Sequence, residues 1–292
     1  MCVTIVIPSH NRLDLIYDLV KSIPVCQNIE VVLVDDYSTE ELTKVDLSAF
    51  ADHKYIRNDT LNRYAGSARN IGIENSSGEY LFFADSDDLI VSDGFVKCLE
   101  MLEKDKPDVL FAKATSFHES DNSLGSRHIR SNWLVNEVLN GADQSILVRF
   151  ATPWAKFIRK DFIERHNLRF ENQRVSNDIV FAALLVVKQP VIQVCDEVVY
   201  SIRQGNPSLT NDYSLESTET RLHALLRYNK ILADNGLRYL MAPALPLLKR
   251  LIRKDLIKLI HWSAVFLTKR QPVLFTWWTL KNYLVRDLSK SV

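Results

Sequence analysis

The sequence predicts an α/β fold in which helices flank a mostly parallel sheet. Runs of β-branched and aromatic residues alternate with stretches of helical spacing through roughly the first 90 residues, as in repeated strand–helix–strand units. Each apolar run ends in polar or acidic side chains, as strands do where a sheet edge carries a ligand. The chain has 292 residues, 47% of them hydrophobic, which suffices for one large domain or one domain with an appendage.

The elements of the first half follow from local pattern. Residues 3–7 are all β-branched and stop at a proline, which predicts the first strand. Residues 13–23 place apolar side chains at helical spacing, and residues 29–34 form a second apolar run, so a helix and a second strand are predicted. Residues 40–50 indicate a short helix, and residues 54–57 indicate a short third strand.

The next strand leads into a dense acidic stretch. Residues 62–75 predict a helix entered through a polar turn, and residues 80–84 predict a buried strand. Asp85, Asp87 and Asp88 follow directly and place three carboxylates within four positions. Crowded carboxylates are costly unless a cation neutralises them, and a divalent metal with oxygen ligands is a natural partner. A solvated acidic turn is the alternative.

Three predicted strand ends carry polar side chains that would face one crevice. Pro8 and Ser9 follow the first strand, Asp36 follows the second, and residues 85–88 follow the fourth. Ligands of an open parallel sheet bind beyond the carboxyl ends of its strands. The spacing therefore predicts an acidic cleft for a nucleotide or a metal.

Four ordered blocks resemble the family 2 glycosyltransferases of GT-A fold. They are TIVIPSHNR at 4–12, VDDYSTE at 34–40, NRYAGSARNIG at 62–72 and ADSDD at 84–88, with Tyr37 where the family usually has glycine. The resemblance implies a Rossmann-like GT-A domain and places the acidic stretch at the family's DxD motif.

Three later blocks resemble the same family more weakly. They are TPWAKFIRK at 152–160, RVSNDIVF at 174–181, and YSIR at 200–203 followed by PSLT at 207–210. Asn177 stands where the family usually has glutamate. The resemblance ends near residue 212, which predicts a GT-A domain over 1–212 and a separate C-terminal region over 213–292.

The resemblance implies an inverting, metal-dependent glycosyltransferase. Its donor would be a nucleotide sugar, in particular a UDP-sugar, and its acceptor a hydroxyl of a growing polysaccharide or a lipid-linked glycan. Mn²⁺ or Mg²⁺ would bind Asp87, with help from Asp85. The residues predicted to bind the donor are Pro8, Ser9, Asn11, Asp36, Arg63, Arg69, Asp85, Ser86 and Asp87. For Asp36 the alternative is a helix cap, and for the two arginines it is a surface salt bridge.

Asp178 is the catalytic base that the resemblance implies, and Glu171 is the next candidate. Asp178 opens an apolar helical stretch, so it could instead serve only to favour the helix dipole. Trp154, Asn177 and Arg203 are the predicted acceptor contacts. For Trp154, packing in the core is an equal alternative to a wall against a sugar ring.

The C-terminal region has a different character. From residue 237 onward the chain holds 11 basic and 2 acidic side chains, whereas the rest holds 25 basic and 34 acidic ones. Basic residues alternate there with leucine and isoleucine, and aromatic residues follow, among them Trp262, Phe266, Phe275, Trp277, Trp278 and Tyr283. Basic amphipathic helices of this kind bind membrane surfaces, although they could also pack on the catalytic domain. The apolar content favours a membrane over nucleic acid.

The composition and motifs of the chain also bear on its cellular compartment and on two alternative functions. The four cysteines are far apart in sequence and form no metal-binding spacing, which favours a reducing compartment and argues against zinc. No leader precedes the first strand and no apolar run is long enough to span a bilayer, so we expect a cytoplasmic protein peripheral to the inner face of the membrane. A nucleotidyltransferase lacks support, because no glycine-rich phosphate loop with a lysine follows the first strand. A silent nucleotide-sugar-binding subunit is the other alternative.

Overall fold

The computed structural model describes residues 1–205 and 212–274. Its centre is an eight-stranded mixed sheet with the strand order β3-β2-β1-β4-β7-β6-β8-β5. The strands are β1 (Val3–Ser9), β2 (Ile29–Asp35), β3 (Asp52–Arg57), β4 (Tyr80–Phe83), β5 (Leu89–Ile90), β6 (Val109–His118), β7 (Lys156–Arg159) and β8 (Ile192–Gln204). The helices are α1 (Leu13–Ser22), α2 (Tyr64–Asn75), α3 (Ser92–Asp105), α4 (Ile129–Leu139), α5 (Lys160–Arg165), α6 (Ile179–Val187), α7 (Leu215–Asp234), α8 (Leu245–Leu248) and α9 (Leu256–Thr268).

One half of the sheet is parallel, as the sequence predicts. Strand β1 lies between β2 and β4, and β2 pairs with β3, all in parallel. Every residue of β1 and β2 is buried, as expected of parallel strands covered by helices on both faces. The strand order reverses at β1, so a crevice opens beyond the carboxyl ends of β1 and β4.

The other half of the sheet is mixed. Strand β7 is antiparallel to both β4 and β6, and the long strand β8 runs parallel to β6 and antiparallel to β5. The register of β6 against β8 shifts between Phe111 and Ala114. These pairings join segments far apart in sequence, and they carry the acidic turn after β4 against the end of β8.

The predicted helix over 40–50 is wrong. Only a 3₁₀ turn forms there, at Leu42–Lys44. Asp46 accepts a hydrogen bond from the Ser48 backbone N–H at 2.9 Å, and such local side-chain bonds compete with helix formation. Leu42, Val45, Leu47 and Phe50 are buried nevertheless, so the segment covers the sheet without helical geometry.

A single hydrophobic core includes side chains from the sheet and from the helices after residue 212. In the sheet half, Phe82 packs edge-on against Phe95 with ring centroids 5.0 Å apart. In the helical half, Leu222 and Leu232 of α7 are fully buried. The division at residue 212 stays a prediction.

The last described helices are anchored by a few specific contacts. The Asn229 side chain bonds both the N–H and the carbonyl of Ala242, at 2.8 and 2.9 Å. Trp262 and Phe266 of α9 are buried, and the Trp262 indole N–H donates to Glu219 at 3.3 Å. Among the described residues, no helix has the length and apolar character needed to cross a bilayer. The 207–210 block and the aromatic residues from Phe275 onward lie outside the described residues.

Candidate active site

An open cleft of about 670 Å³ lies beyond the carboxyl ends of β1, β2 and β4. This central cleft is lined by both predicted and unpredicted residues: Pro8, Ser9, His10, Arg12, Asp36, Ala65, Arg69, Asp85, Ser86, Asp87, Asp88, Arg127, Thr152, Pro153, Trp154, Arg174, Val175, Ser176, Asn177, Asp178 and Arg221. The crevice that strand order predicts is therefore where the candidate residues meet.

Asp36 organises one end of the central cleft. Its carboxylate accepts a hydrogen bond from the Asn58 amide at 2.8 Å and another from the Tyr64 backbone N–H at 2.7 Å. The His10 ring nitrogen Nδ1 lies 2.6 Å from the Asp36 carbonyl. Asp36 is thus no cap for the helix once expected over 40–50, and it links the ends of β1 and β2 to the start of α2.

Two predicted donor residues lie beside the central cleft and do not line it. Asn11 accepts hydrogen bonds from the Thr39 N–H and hydroxyl at 2.8 and 3.0 Å, which fasten the loop after β1 to the loop after β2. Arg63 lies over the ring of Tyr37, 4.4 Å from its centroid. Tyr37 takes a positive φ of 61°, which explains why a glycine is usual at that position.

Left-handed backbone recurs in the loops around the central cleft. Asn11, Tyr37, Tyr64, Ala155 and Ser176 all have φ between 52° and 80°. Strained conformations of this kind cost about 1–3 kcal/mol each and cluster at functional sites.

The acidic turn after β4 is braced from behind by β8. The Tyr200 hydroxyl accepts from the Asp85 N–H at 2.8 Å, and the Arg203 N–H donates to the Asp88 carboxylate at 2.8 Å. The Arg203 guanidinium also donates to the Asp87 carbonyl at 2.9 Å. Arg203, a predicted acceptor contact, does not line the central cleft, and its observed partners make it a brace for the turn.

The carboxylates of the acidic turn lie close enough together to repel one another. Burial raises the pKa of Asp87, and the nearby charge of Asp85 raises it further, while Arg12 and Arg127 oppose the rise. Burial and then Asp85 and Asp87 also raise the pKa of Asp88. A cation bound here would relieve this repulsion. No three metal-ligating side chains of the described residues form a cage alone, so a metal here would also need substrate oxygens.

Arg69 connects the two walls of the central cleft. Its guanidinium donates to Asp85 at 2.6 Å and to the Asn177 side-chain oxygen at 2.9 Å, and it lies over the ring of Phe170. Arg69 itself is 5% exposed, so these are protected, charge-assisted contacts rather than a surface salt bridge. The acidic turn and the 174–178 segment are thereby held at a set separation.

Asp178 stands at the N-cap position of α6. Its side chain makes no capping hydrogen bond and reaches the central cleft instead. Burial raises the pKa of Asp178, while the charge of Arg69, and to a smaller extent that of Lys156, lowers it. Asp178 therefore combines access to the cleft, raised basicity and nearby cations, which are the properties of a general base.

The profile of the family described as "Glycosyl transferase family 2" matches residues 4–166, more than half of the chain. The chain belongs to glycosyltransferase family 2. GlyA of Streptococcus pneumoniae serotype 4 is 25% identical over 77% of this chain and 33% of its own length. The chain likewise spans 19% and 17% of two Rickettsia glycosyltransferases that it matches.

Solved structures confirm the predicted GT-A fold of this family 2 glycosyltransferase. S. aureus TarS, residues 1–349, in complex with UDP-GlcNAc superposes with a TM-score of 0.61 at 18% identity, covering 82% of this chain and 72% of that one. The mannosyltransferase PcManGT from Pyrobaculum calidifontis, in complex with GDP-Man and Mn²⁺, superposes with a TM-score of 0.57 at 14% identity. The match covers 99% of this chain and 86% of that one.

Trp154 and Lys156 show how the block at 152–160 is used in this glycosyltransferase. Trp154 is 3% exposed and stacks on Tyr200 with centroids 5.6 Å apart, so it packs in the core and also lines the central cleft. Lys156 is buried beneath it, donates to the Thr152 carbonyl, and lies 4.0 Å from the centroid of Phe150. Burial lowers the pKa of Lys156 to about 7, against the attraction of Asp178.

Glu171, the second candidate for the base, forms an ion pair outside the central cleft. Its carboxylate pairs with Arg227 of α7 and accepts from Gln173, and it does not line the central cleft. Asp178 is the acidic residue of this segment that reaches the cleft.

Sequence reasoning missed seven polar residues that line the central cleft: His10, Arg12, Arg127, Thr152, Arg174, Ser176 and Arg221. Five of them lie inside the family-like blocks at 4–12, 152–160 and 174–181, so the blocks themselves could have marked them. Arg127 and Arg221 lie in segments with no such signal, and only the fold brings them to the cleft.

Proposed function

We propose that this chain transfers a sugar from a nucleoside diphosphate donor to an acceptor hydroxyl with inversion at the anomeric carbon. The observation that carries the proposal is the double contact of Arg69, to Asp85 on one wall of the central cleft and to Asn177, beside Asp178, on the other. A leaving-group site and a base on opposite walls suit in-line displacement.

The acidic turn is the proposed donor end. A Mn²⁺ or Mg²⁺ ion would be held by Asp87 and Asp85 together with diphosphate oxygens, and it would neutralise the departing charge. Arg12 and Arg127 act on Asp87 from the same end and add positive charge there. Asp36, Pro8 and Ser9 would enclose the nucleoside. A UDP-sugar is the proposed donor, in keeping with the UDP-GlcNAc complex of TarS.

Asp178 is the proposed base. An inverting transfer needs one carboxylate on the acceptor side to take the hydroxyl proton as the bond to the anomeric carbon forms. Arg69 and Lys156 favour its ionised form against burial, so Asp178 can accept that proton near neutral pH. Trp154, which lines the central cleft, would support an acceptor sugar, and Asn177 would orient it.

A growing polysaccharide or a lipid-linked glycan is the proposed acceptor, met at the inner face of the cell membrane. Helix α9 supports this location, because Leu256, Ile257, Ile260 and Leu267 are 60%, 81%, 70% and 66% exposed. Exposed basic side chains lie just before and just after α9 in the chain: Arg253, Lys254, Lys269 and Arg270. An apolar face with a basic border matches the chemistry of an anionic bilayer surface.

A donor screen tests the proposal. Release of UDP or GDP from a panel of nucleotide sugars is measured with Mn²⁺ or Mg²⁺ and again with EDTA. We expect release with one donor, its loss in EDTA, and loss of both turnover and nucleotide affinity in Asp87→Ala.

The matched control is Asp234→Ala, which removes an exposed carboxylate paired with Lys230 on α7 and should leave turnover unchanged. Nucleotide-sugar binding without any release would instead indicate a silent binding subunit. Turnover that survives both EDTA and Asp87→Ala would contradict the metal role.

A further inference from the structure

Two pairs of arginines line the central cleft besides Arg69, and the proposed donor accounts for one pair. Arg12 and Arg127 act on Asp87, where the donor diphosphate would lie. Arg174 and Arg221 also line the cleft. Arg174 belongs to the segment that leads to Asp178, and Arg221 belongs to α7. A single diphosphate at the acidic turn leaves this second pair without a function in donor binding.

The second pair is held together by Asp212. Arg174 lies 3.4 Å from the Asp212 carboxylate, and the Arg221 guanidinium donates to the Asp212 carbonyl at 2.7 Å. Asp212 is itself fixed by hydrogen bonds from the Ser214 N–H at 2.8 Å and the Ser217 hydroxyl at 2.5 Å. The two guanidinium groups are therefore positioned by the start of α7 and are not free surface arginines.

Two further cations lie close to this pair. Arg250 acts on Arg221 as a like charge, and it lies over the Tyr213 ring at 4.5 Å, while Lys254 donates to the Tyr213 carbonyl. Among the described residues, Arg174 and Arg221 thus contact Asp212, and Arg250 and Lys254 contact its neighbour Tyr213. A bound anion with several oxygens would satisfy guanidinium groups in this arrangement, because arginine matches phosphate geometry with paired donors.

We propose that Arg174 and Arg221 form an anion site for a phosphate group carried by the acceptor. This inference rests on the proposed function, since it places the acceptor on the Asp178 side of the central cleft. The cations that continue through Arg250 and Lys254 lead toward the first turn of α9, so a phosphate on an amphiphilic carrier would find an apolar face nearby.

The test uses full-length protein whose donor end is filled with UDP and Mn²⁺. Calorimetric titrations with glucose and with glucose 1-phosphate compare a neutral and a phosphorylated probe. We expect the phosphorylated probe to bind at least about tenfold more tightly, the gain of one charge-assisted contact. That gain should fall as salt is raised.

The Arg174→Gln/Arg221→Gln double variant should lose the preference, and Lys230→Gln, which removes one charge farther along α7, should keep it. Arg174→Gln alone carries the test if the double variant does not fold, because the Arg174 side chain is 48% exposed. Equal binding of the two probes, or a preference that survives in these arginine variants, would overturn the inference.

Two further titrations distinguish a phosphate on a lipid carrier from a phosphate on a soluble or polymeric acceptor. Tighter binding of dodecyl phosphate than of glycerol 3-phosphate assigns the group to a lipid carrier, and equal binding assigns it to a soluble or polymeric phosphodiester. UDP affinity is measured first in every variant. Failure of the wild-type protein to bind UDP would contradict the proposed function, whereas normal UDP binding without a phosphate preference contradicts only this inference.

Discussion

The sheet region, residues 1–205, and the described part of the helical region, residues 212–274, use burial in opposite ways. The sheet region buries polar and charged side chains such as Arg69, Asp88 and Lys156. The helical region leaves large apolar side chains outside, with Ile257 81% exposed and Ile260 70% exposed.

This contrast has a physical cause. In the sheet region, the strands pair their backbone groups with one another, and the surrounding loops supply hydrogen-bond partners for the buried charged side chains. These partners offset the free-energy cost of removing the charges from water. Helix α9 meets the core with one narrow face, through Trp262 and Phe266, and its opposite face has no partner among the described residues. Under the functions proposed above, the catalytic residues lie in the first region, and the second offers an apolar face for contact with a further surface.

The largest effect is expected on turnover, from a substitution of the proposed base in the sheet region. Asp178→Asn keeps the size of the side chain and removes its basicity, so turnover should fall by about 10²- to 10⁴-fold while donor affinity stays nearly unchanged. Because burial raises the pKa of Asp178, wild-type turnover should also decline at a higher pH than an ordinary aspartate would give as the solution is acidified.

Glu171→Gln is the control for Asp178→Asn, since it alters a carboxylate of the same segment that pairs with Arg227. Steady-state nucleotide release and UDP titration are the measurements. If Asp178→Asn keeps more than about a tenth of the turnover, the base lies elsewhere and Glu171 is the next candidate. Loss of turnover in Glu171→Gln would then assign the base to Glu171.

The second prediction asks whether the two regions unfold as one. Trp262→Ala removes a buried ring that packs 4.7 Å from His223, and it should lower the free energy of unfolding by about 3–5 kcal/mol. Because one core includes both regions, urea unfolding should stay a single transition by circular dichroism and by fluorescence. Ile260→Ala, at an exposed position of the same helix, should change stability by less than about 0.5 kcal/mol. Two separate transitions would show that the helical region is an independent unit.

The third prediction tests whether the exposed apolar face of α9 binds a membrane surface. Ile257→Gln/Ile260→Gln should reduce binding to anionic vesicles by about tenfold or more, because burial of each isoleucine is worth about 1.5–3 kcal/mol. Co-sedimentation with vesicles at two salt concentrations measures it, and binding should weaken with salt. Leu124→Gln/Val191→Gln alters two exposed apolar residues of the sheet region and serves as the control. Equal loss in both double variants would remove α9 as the membrane contact.

The smallest effect concerns the buried cation of the sheet region. The pKa of Lys156 in the folded protein is about 7, below that of an ordinary lysine, so above pH 7 the unfolded chain binds more protons. Stability should therefore rise by about 1 kcal/mol from pH 7 to pH 8, and it is lost as the pH falls toward 7. Lys156→Met should flatten this dependence in urea unfolding, whereas Lys230→Met on the surface of α7 should retain it. An unchanged slope in Lys156→Met would assign the pH dependence to another group.

Local pattern was sufficient for the parallel half of the fold. The β-branched run of β1 and the apolar run of β2 form strands at the predicted places, and Asp36 and the acidic turn follow their strands as expected. The failed helix over 40–50 shows the limit, because a hydrogen bond between Asp46 and Ser48 outweighs a weak helical pattern.

What the sequence alone determined is the family, the parallel strands and the residues at their carboxyl ends, because each depends on neighbours close along the chain. Only the tertiary structure decided that Arg203 braces the acidic turn, that Lys156 is buried near Asp178, and that Arg221 reaches the cleft from α7. These placements depend on the pairing of β8 with β5 and β6 and on the packing of α7. Such contacts join residues far apart in sequence, and their geometry is set by the whole core rather than by any local pattern.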